Sequence, residues 1–181
     1  MKIAVIHNFD AGDRFDRLMN EFQEQGIKEF SFFPAVYDSH SVKRAINLAH
    51  KQCVQYAKDA HLPEICIMED DVHFTNPDSF SYFLRNKPSD FDIYLSGIYI
   101  GEIQKDQTVH NFTGFHCYIV NKKFYDIYLN TPLDEHIDRA LGGLGKYIVC
   151  DPFIAIQYNG FSYNTKMDMN YDSLLEGRKL Y

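Results

Sequence analysis

Tryptophan is absent from the sequence, cysteine is sparse and positive charge is in the minority. The four cysteines, Cys53, Cys66, Cys117 and Cys150, lie far apart and form no C-x-x-C, which excludes a zinc knuckle and a redox pair. Each sits among apolar neighbours, as a small core residue does. Only 18 Lys and Arg stand against 25 Asp and Glu, for a net charge of -7. Such a surface offers no face that releases counterions from nucleic acid, so no nucleic-acid partner is expected and any phosphate ligand needs a local device. No apolar run approaches the roughly 18 residues that span a bilayer. The start has four apolar residues, Ile3 to Ile6, before His7, too few for a signal peptide. The expected location is therefore the cytoplasm, with any membrane contact peripheral. Also missing are an internal repeat, a domain linker and the phosphate-cradling G-x-x-x-x-G-K-[ST].

What is present is the composition of one globular domain: 181 residues, 45% hydrophobic and 24% charged. Thirteen Tyr and 15 Phe bring the aromatic share to 15%. They either fill the core or form stacking platforms for a sugar or a base.

Lys2 to Ile6 reads as a buried strand, and the helical spacing of Phe15, Leu18, Met19 and Phe22 predicts a helix from Asp13 to about Gln25, ended by Gly26. A second strand is expected over Ile27 to Val36, and a long helix from Ser41, with Ser39 or Ser41 available as its N-cap, carries Val42, Ala45, Ile46, Ala49, Cys53 and Ala57 at steps of three and four. Glu64 to Met68 is a continuous apolar strand that stops at Glu69-Asp70-Asp71. Further on, helices are expected over Asp78 to Arg85, Lys122 to Leu129 and Asp134 to Leu141. Strands are expected over Asp92 to Ser96, Phe115 to Val120, Tyr147 to Val149 and Phe153 to Gln157. Residues 101–113 are polar and aperiodic, the pattern of a mobile loop or lid. Residues 1–162 form the domain, and 163–181 read as a C-terminal tail or arm. Strands alternating with helices give an α/β fold with a mainly parallel central sheet flanked by helices.

In open α/β sheets ligands bind beyond the carboxyl ends of the strands, where Glu69-Asp70-Asp71 stands. Adjacent carboxylates repel unless a positive group joins them, and an oxygen-only set suits Mg²⁺ or Mn²⁺ rather than zinc. Side chains alternate along extended chain, so Asp71 and Glu69 share one side as the metal ligands, leaving Asp70 for a ribose hydroxyl or a basic partner. The alternative is a solvated acidic loop.

The order Asp13-Arg14 after the first strand, Phe32-Phe33-Pro34-Ala35, Asn47-Leu48-Ala49-His50, then Glu69-Asp70-Asp71 resembles the family 25 glycosyltransferases, among them the lipooligosaccharide galactosyltransferases. The likeness continues through Gly114 to Ile119, His136-Ile137-Asp138 and Gln157 to Ser162. It implies a GT-A-like, Rossmann-like nucleotide-sugar-binding domain. It also implies transfer of a hexose, galactose first, from a nucleotide sugar such as a UDP-hexose to a hydroxyl of a glycan or glycolipid acceptor, assisted by a divalent metal. Asp138, or less favourably Asp134, then serves as the catalytic base, while Arg14 reaches the diphosphate and Asn8 the nucleotide. His116 is a donor to the sugar, a metal ligand or a core histidine, and His50 is core. The first loop departs from the family's pattern at His7-Asn8, as does the helix at Ala49. Those departures favour a second reading, a non-catalytic nucleotide-sugar or glycan binding protein. A third, a Mg²⁺ site for phosphoryl transfer, requires a lysine at a neighbouring strand end, and none is obvious.

Overall fold

The computed structural model describes residues 1–181. β1 (Lys2–His7), α1 (Arg14–Glu24), β2 (Ser31–Pro34), α2 (Val42–Asp59) and β3 (Glu64–Glu69) open the chain. β4 (Val72–Phe74), α3 (Ser79–Arg85), β5 (Ile93–Leu95), β6 (Thr108–Val109) and β7 (Cys117–Asn121) follow. α4 (Tyr125–Leu129), α5 (Ile137–Ala140), β8 (Tyr147–Val149), β9 (Ala155–Gln157), β10 (Gly160–Ser162) and β11 (Met167–Met169) complete it. The fold is mixed α/β around a seven-stranded sheet of order β2-β1-β3-β7-β5-β8-β6. β2, β1, β3, β5 and β8 run one way, and β7 and β6 the other. No helix is long and apolar enough to cross a membrane.

The two-residue period of the strands divides the core cleanly. Ala4, Ile6, Ile65, Ile67, Ile93, Leu95, Tyr118 and Val120 join Ala49, Cys53 and Ala57 of α2 on one face. Ile3, Val5, Cys66, Met68, Tyr94, Cys117 and Ile119 join Leu18 and Phe22 of α1 and Phe80 and Phe83 of α3 on the other. All four cysteines are buried and free. Ser41 caps α2 by accepting from the Arg44 amide at 3.2 Å, and α1 stops at Gly26, whose φ of 66° suits a residue without Cβ.

β2 and residues 101–113 differ from the sequence expectation. β2 spans four residues rather than Ile27 to Val36, because it is an edge strand paired only to Ala4 through His7 of β1. Ile27 instead turns into the core behind α1. Residues 101–113 are not a structureless loop: β6 pairs with β8, Ile100 bridges Thr113, and Val109 and Phe112 are buried. Their polar tip hid two core anchors. The segment 163–181 lies along the domain, with β11 closing a hairpin on β10, Leu175 in the core and Leu180 beside Phe153.

Candidate functional site

β1 connects outward to β2 on one side, while β3 lies on its other side, so the chain's direction of travel across the sheet reverses between β1 and β3. In such sheets ligands bind in the crevice beyond the carboxyl ends at this reversal, where α1 leaves β1 and β4 continues from β3. Ile6 is in register with Glu69, which places His7 and Asn8 beside Asp70 and Asp71.

Asp70 is buried and turned toward β1. Its Oδ2 accepts from the Asn8 amide at 2.8 Å and from His7 Nδ1 at 2.9 Å, and its Oδ1 accepts from Arg14 Nη1 at 2.6 Å. Of the two partners foreseen for Asp70, the basic one is present. The Asn8 side chain turns back to its own loop, accepting from the Asp10 amide at 3.1 Å. Arg14, at the first turn of α1, also reaches Asp71 Oδ2 at 3.2 Å and donates through Nη2 to the Phe161 carbonyl at 3.0 Å. Burial opposes the charge on Arg14, but Asp71 and Asp70 outweigh it and hold the guanidinium protonated.

Glu69, the last residue of β3, and Asp71, in the turn that follows, meet at Gln157. One Gln157 amide nitrogen joins them, donating to Glu69 Oε2 at 2.9 Å and to Asp71 Oδ1 at 3.1 Å. His50 Nε2 lies 3.1 Å from Glu69 Oε1. Burial, then repulsion from Asp70, pushes Glu69 up to about 8, with Arg14 opposing. Burial, then the neighbouring Glu69, pushes Asp71 up to about 7. His50, brought down to about 4 by burial, is a neutral neighbour. Three carboxylates thus share one guanidinium, and two of them have only a neutral amide and a neutral imidazole besides. No three His, Cys, Asp or Glu side chains form a self-sufficient metal centre. Two carboxylates on one side match Mg²⁺ and Mn²⁺ chemistry, in which one or two protein carboxylates and substrate phosphates complete the shell.

Asp138, in α5, is half-buried, accepts from the Gly114 amide at 3.3 Å and raises the pKa of Glu69. His116 takes the core position among the roles open to it. Only 1% of it is exposed, its Nε2 donates to the Ala155 carbonyl at 2.8 Å, and burial brings it down to about 4. It ties β9 to the start of β7 from within the core. The sequence reading missed His7, Gln157 and the contact of His50 with Glu69. Gln157 is 88 residues from Glu69, and no local signal joins them.

A cleft of about 230 Å³ borders Arg14 and Arg17 on one side and Asn159, Phe161 and Tyr163 on the other. Beside the crevice the rings of His7, Phe9, Phe15 and Phe32 pack together, and Phe9 and Phe15 remain exposed. A larger hollow of about 450 Å³, walled by Lys58, Lys122 and Lys123, lies at the opposite end of β3.

No family model and no curated protein matches the sequence. Among solved structures the chain is similar to A197 from STIV, with a TM-score of 0.57 and 10% identity over 87% of this chain and 86% of that one. It is also similar to HddC from Yersinia pseudotuberculosis complexed with GMP-PN, with a TM-score of 0.50 and 14% identity over 82% of this chain and 89% of that one. A glycosyltransferase involved in the glycosylation of the major capsid of PBCV-1 matches with a TM-score of 0.47 and 13% identity over 83% and 81% of the two chains. What A197 and HddC share with this chain, at these identities, is the fold.

Proposed function

We propose that the chain is a GT-A-type glycosyltransferase that moves a hexose, galactose first, from a nucleotide sugar to a hydroxyl of a glycan acceptor such as lipooligosaccharide. The observation that carries this is the Glu69–Asp71 pair, facing one side of the switch-point crevice with too little positive charge to balance it. The order of motifs in the sequence adds the reaction class.

In the transfer, the anomeric carbon gains a bond to the acceptor oxygen and loses its bond to the diphosphate, which leaves with the electron pair. Asp71 and Glu69 would hold Mn²⁺ or Mg²⁺, which when bound neutralises the charge developing on the diphosphate. Arg14, fixed by Asp70, supplies a second positive group at the same place. Phe9 and Phe15 offer exposed ring faces for the base. On an inverting route, Asp138 takes the acceptor's proton.

Calorimetry with UDP-, GDP- and CMP-sugars, with and without Mn²⁺, tests the proposal. The guanosine member belongs in the panel because HddC, of similar fold, was crystallised with GMP-PN. One nucleotide sugar is expected to bind in a Mn²⁺-dependent manner, and Asp71→Asn to remove that dependence with the far-UV spectrum unchanged. Failure of every nucleotide sugar to bind, with or without metal, would sink the proposal.

A further inference from the structure

A line of hydrogen bonds runs from Glu69 into the core. His50 Nε2 meets Glu69 Oε1 at 3.1 Å, His50 Nδ1 meets the Tyr118 hydroxyl at 2.7 Å, and Tyr118 meets the Tyr128 hydroxyl at 2.8 Å. Its members come from α2, β7 and α4, and none of the three side chains is more than 1% exposed. Phe115 stacks on Tyr118 at 3.7 Å and on His50 at 5.8 Å, shielding them further. The line ends on a carboxylate that is 25% exposed at the crevice.

The order of protons along it follows from its inner end. Tyr128 has Tyr118 as its one hydroxyl partner, so its O–H donates there or is left buried and unpaired, an outcome that folded chains avoid. Tyr118 therefore donates to Nδ1, which fixes the neutral His50 as the Nε2–H tautomer, and Nε2–H donates to Glu69. Every donor points toward the carboxylate. A glutamate with three free torsions is thereby held by one oxygen from the core side and by Gln157 on the other.

Building on the glycosyl-transfer reading above, we propose that the Tyr128–Tyr118–His50 line orients Glu69 for the cation, with His50 as a positioning residue. Partners of this kind behind a ligand fix its direction, and their loss weakens metal binding about 10- to 100-fold. His50 touches neither substrate nor metal.

The test uses the full chain and two readouts. The first is Mn²⁺ uptake in the presence of UDP or GDP, followed by loss of the free Mn²⁺ electron-spin-resonance signal. His50→Leu is expected to weaken uptake about 10- to 100-fold. The Tyr118→Phe/Tyr128→Phe pair, which leaves no orphan hydroxyl, is expected to weaken it several-fold. His50→Gln, whose amide can still donate to Glu69, should stay within about threefold of wild type, a rescue that a merely space-filling histidine would not give. Unchanged uptake in His50→Leu overturns the proposal. The second readout is the nitrogen-15 spectrum of His50 in the metal-free chain, which is expected to show the Nε2–H tautomer; an Nδ1–H tautomer overturns the proposal whatever the metal does. A wild-type chain that takes up no Mn²⁺ with any nucleotide overturns the cation-holding role, and the tautomer still decides the direction of the line.

Discussion

Glu69 and Asp71 are held above their ordinary values of 4.5 and 3.8. The folded chain therefore retains protons that the unfolded chain has released, and between about pH 4.5 and 8 its stability falls as pH rises. Glu69→Gln removes one of the two groups responsible. It should raise the melting temperature at pH 8 in a chelator by a few degrees, about 1–2 kcal/mol, and leave it nearly unchanged at pH 4.5. Thermal melts at the two pH values check this, and an equal shift at both would assign the effect to packing. Asp70 accepts from Arg14, His7 and the Asn8 amide. Adjacent carboxylates in one triplet thus differ in their partners, although Arg14 Nη1 touches both Asp70 and Asp71.

α1 is joined to the crevice's outer wall through Glu21. Its carboxylate accepts from His73, Tyr158 and the Phe74 amide, and these bonds outweigh burial and hold it below the ordinary range. The Glu21 bond raises His73 against burial, with Asp172 and Glu24 adding to it. Because the folded value of His73 is raised, its contribution is complete below about pH 6.5 and is lost as pH climbs through that value. Glu21 contributes above about pH 4.5. His73→Ala should therefore lower the melting temperature most near pH 5.5 and progressively less toward pH 8.5. A difference constant with pH would remove the charge from the explanation. In α5, Asp138→Asn is expected to cut turnover by about 100-fold or more while donor affinity stays the same, as when only the transition state loses an interaction. Kinetics and calorimetry on the same variant separate the roles: lost donor affinity would move Asp138 to the donor site, and intact turnover would leave it a solvated carboxylate.

Across the whole molecule, the last residues reach back to the site. Arg178 donates to the Gly101 carbonyl at 2.8 Å, Tyr181 packs on Tyr82 at 4.2 Å, and Tyr171 stacks on Tyr99 at 5.1 Å. The Tyr99 hydroxyl in turn accepts from the Gln157 backbone N–H at 2.7 Å, so the arm supports the residue that joins Glu69 to Asp71. Removing residues 170–181 uncovers Tyr99 and deletes the buried Leu175, whose side chain alone is worth about 2 kcal/mol. The truncated chain should melt at least about 4–8 °C lower and bind nucleotide more weakly. Unchanged nucleotide affinity together with a lowered melting temperature would make the arm a structural strap with no part in the site.

The sequence by itself determined whatever depends on neighbours along the chain. The period of Leu18 and Phe22, the apolar run Ile65 to Met68 and the Ser41 cap specify α1, β3 and the start of α2. Alternation predicted Asp70 apart from Glu69 and Asp71, but both aspartates lie in the turn after β3 and share Arg14 Nη1. Tertiary structure decided what faces them. Arg14 is 56 residues from Asp70, Gln157 is 88 from Glu69 and His50 is 19 from Glu69, and only the β1–β3 register and the packing of α2 on the sheet bring these together. The same dependence explains His116 and His50. Both are buried, yet one is tied to the Ala155 carbonyl in the core and the other meets Glu69, because the partner of each is set by the strand or helix packed against it, not by the residue's own neighbours.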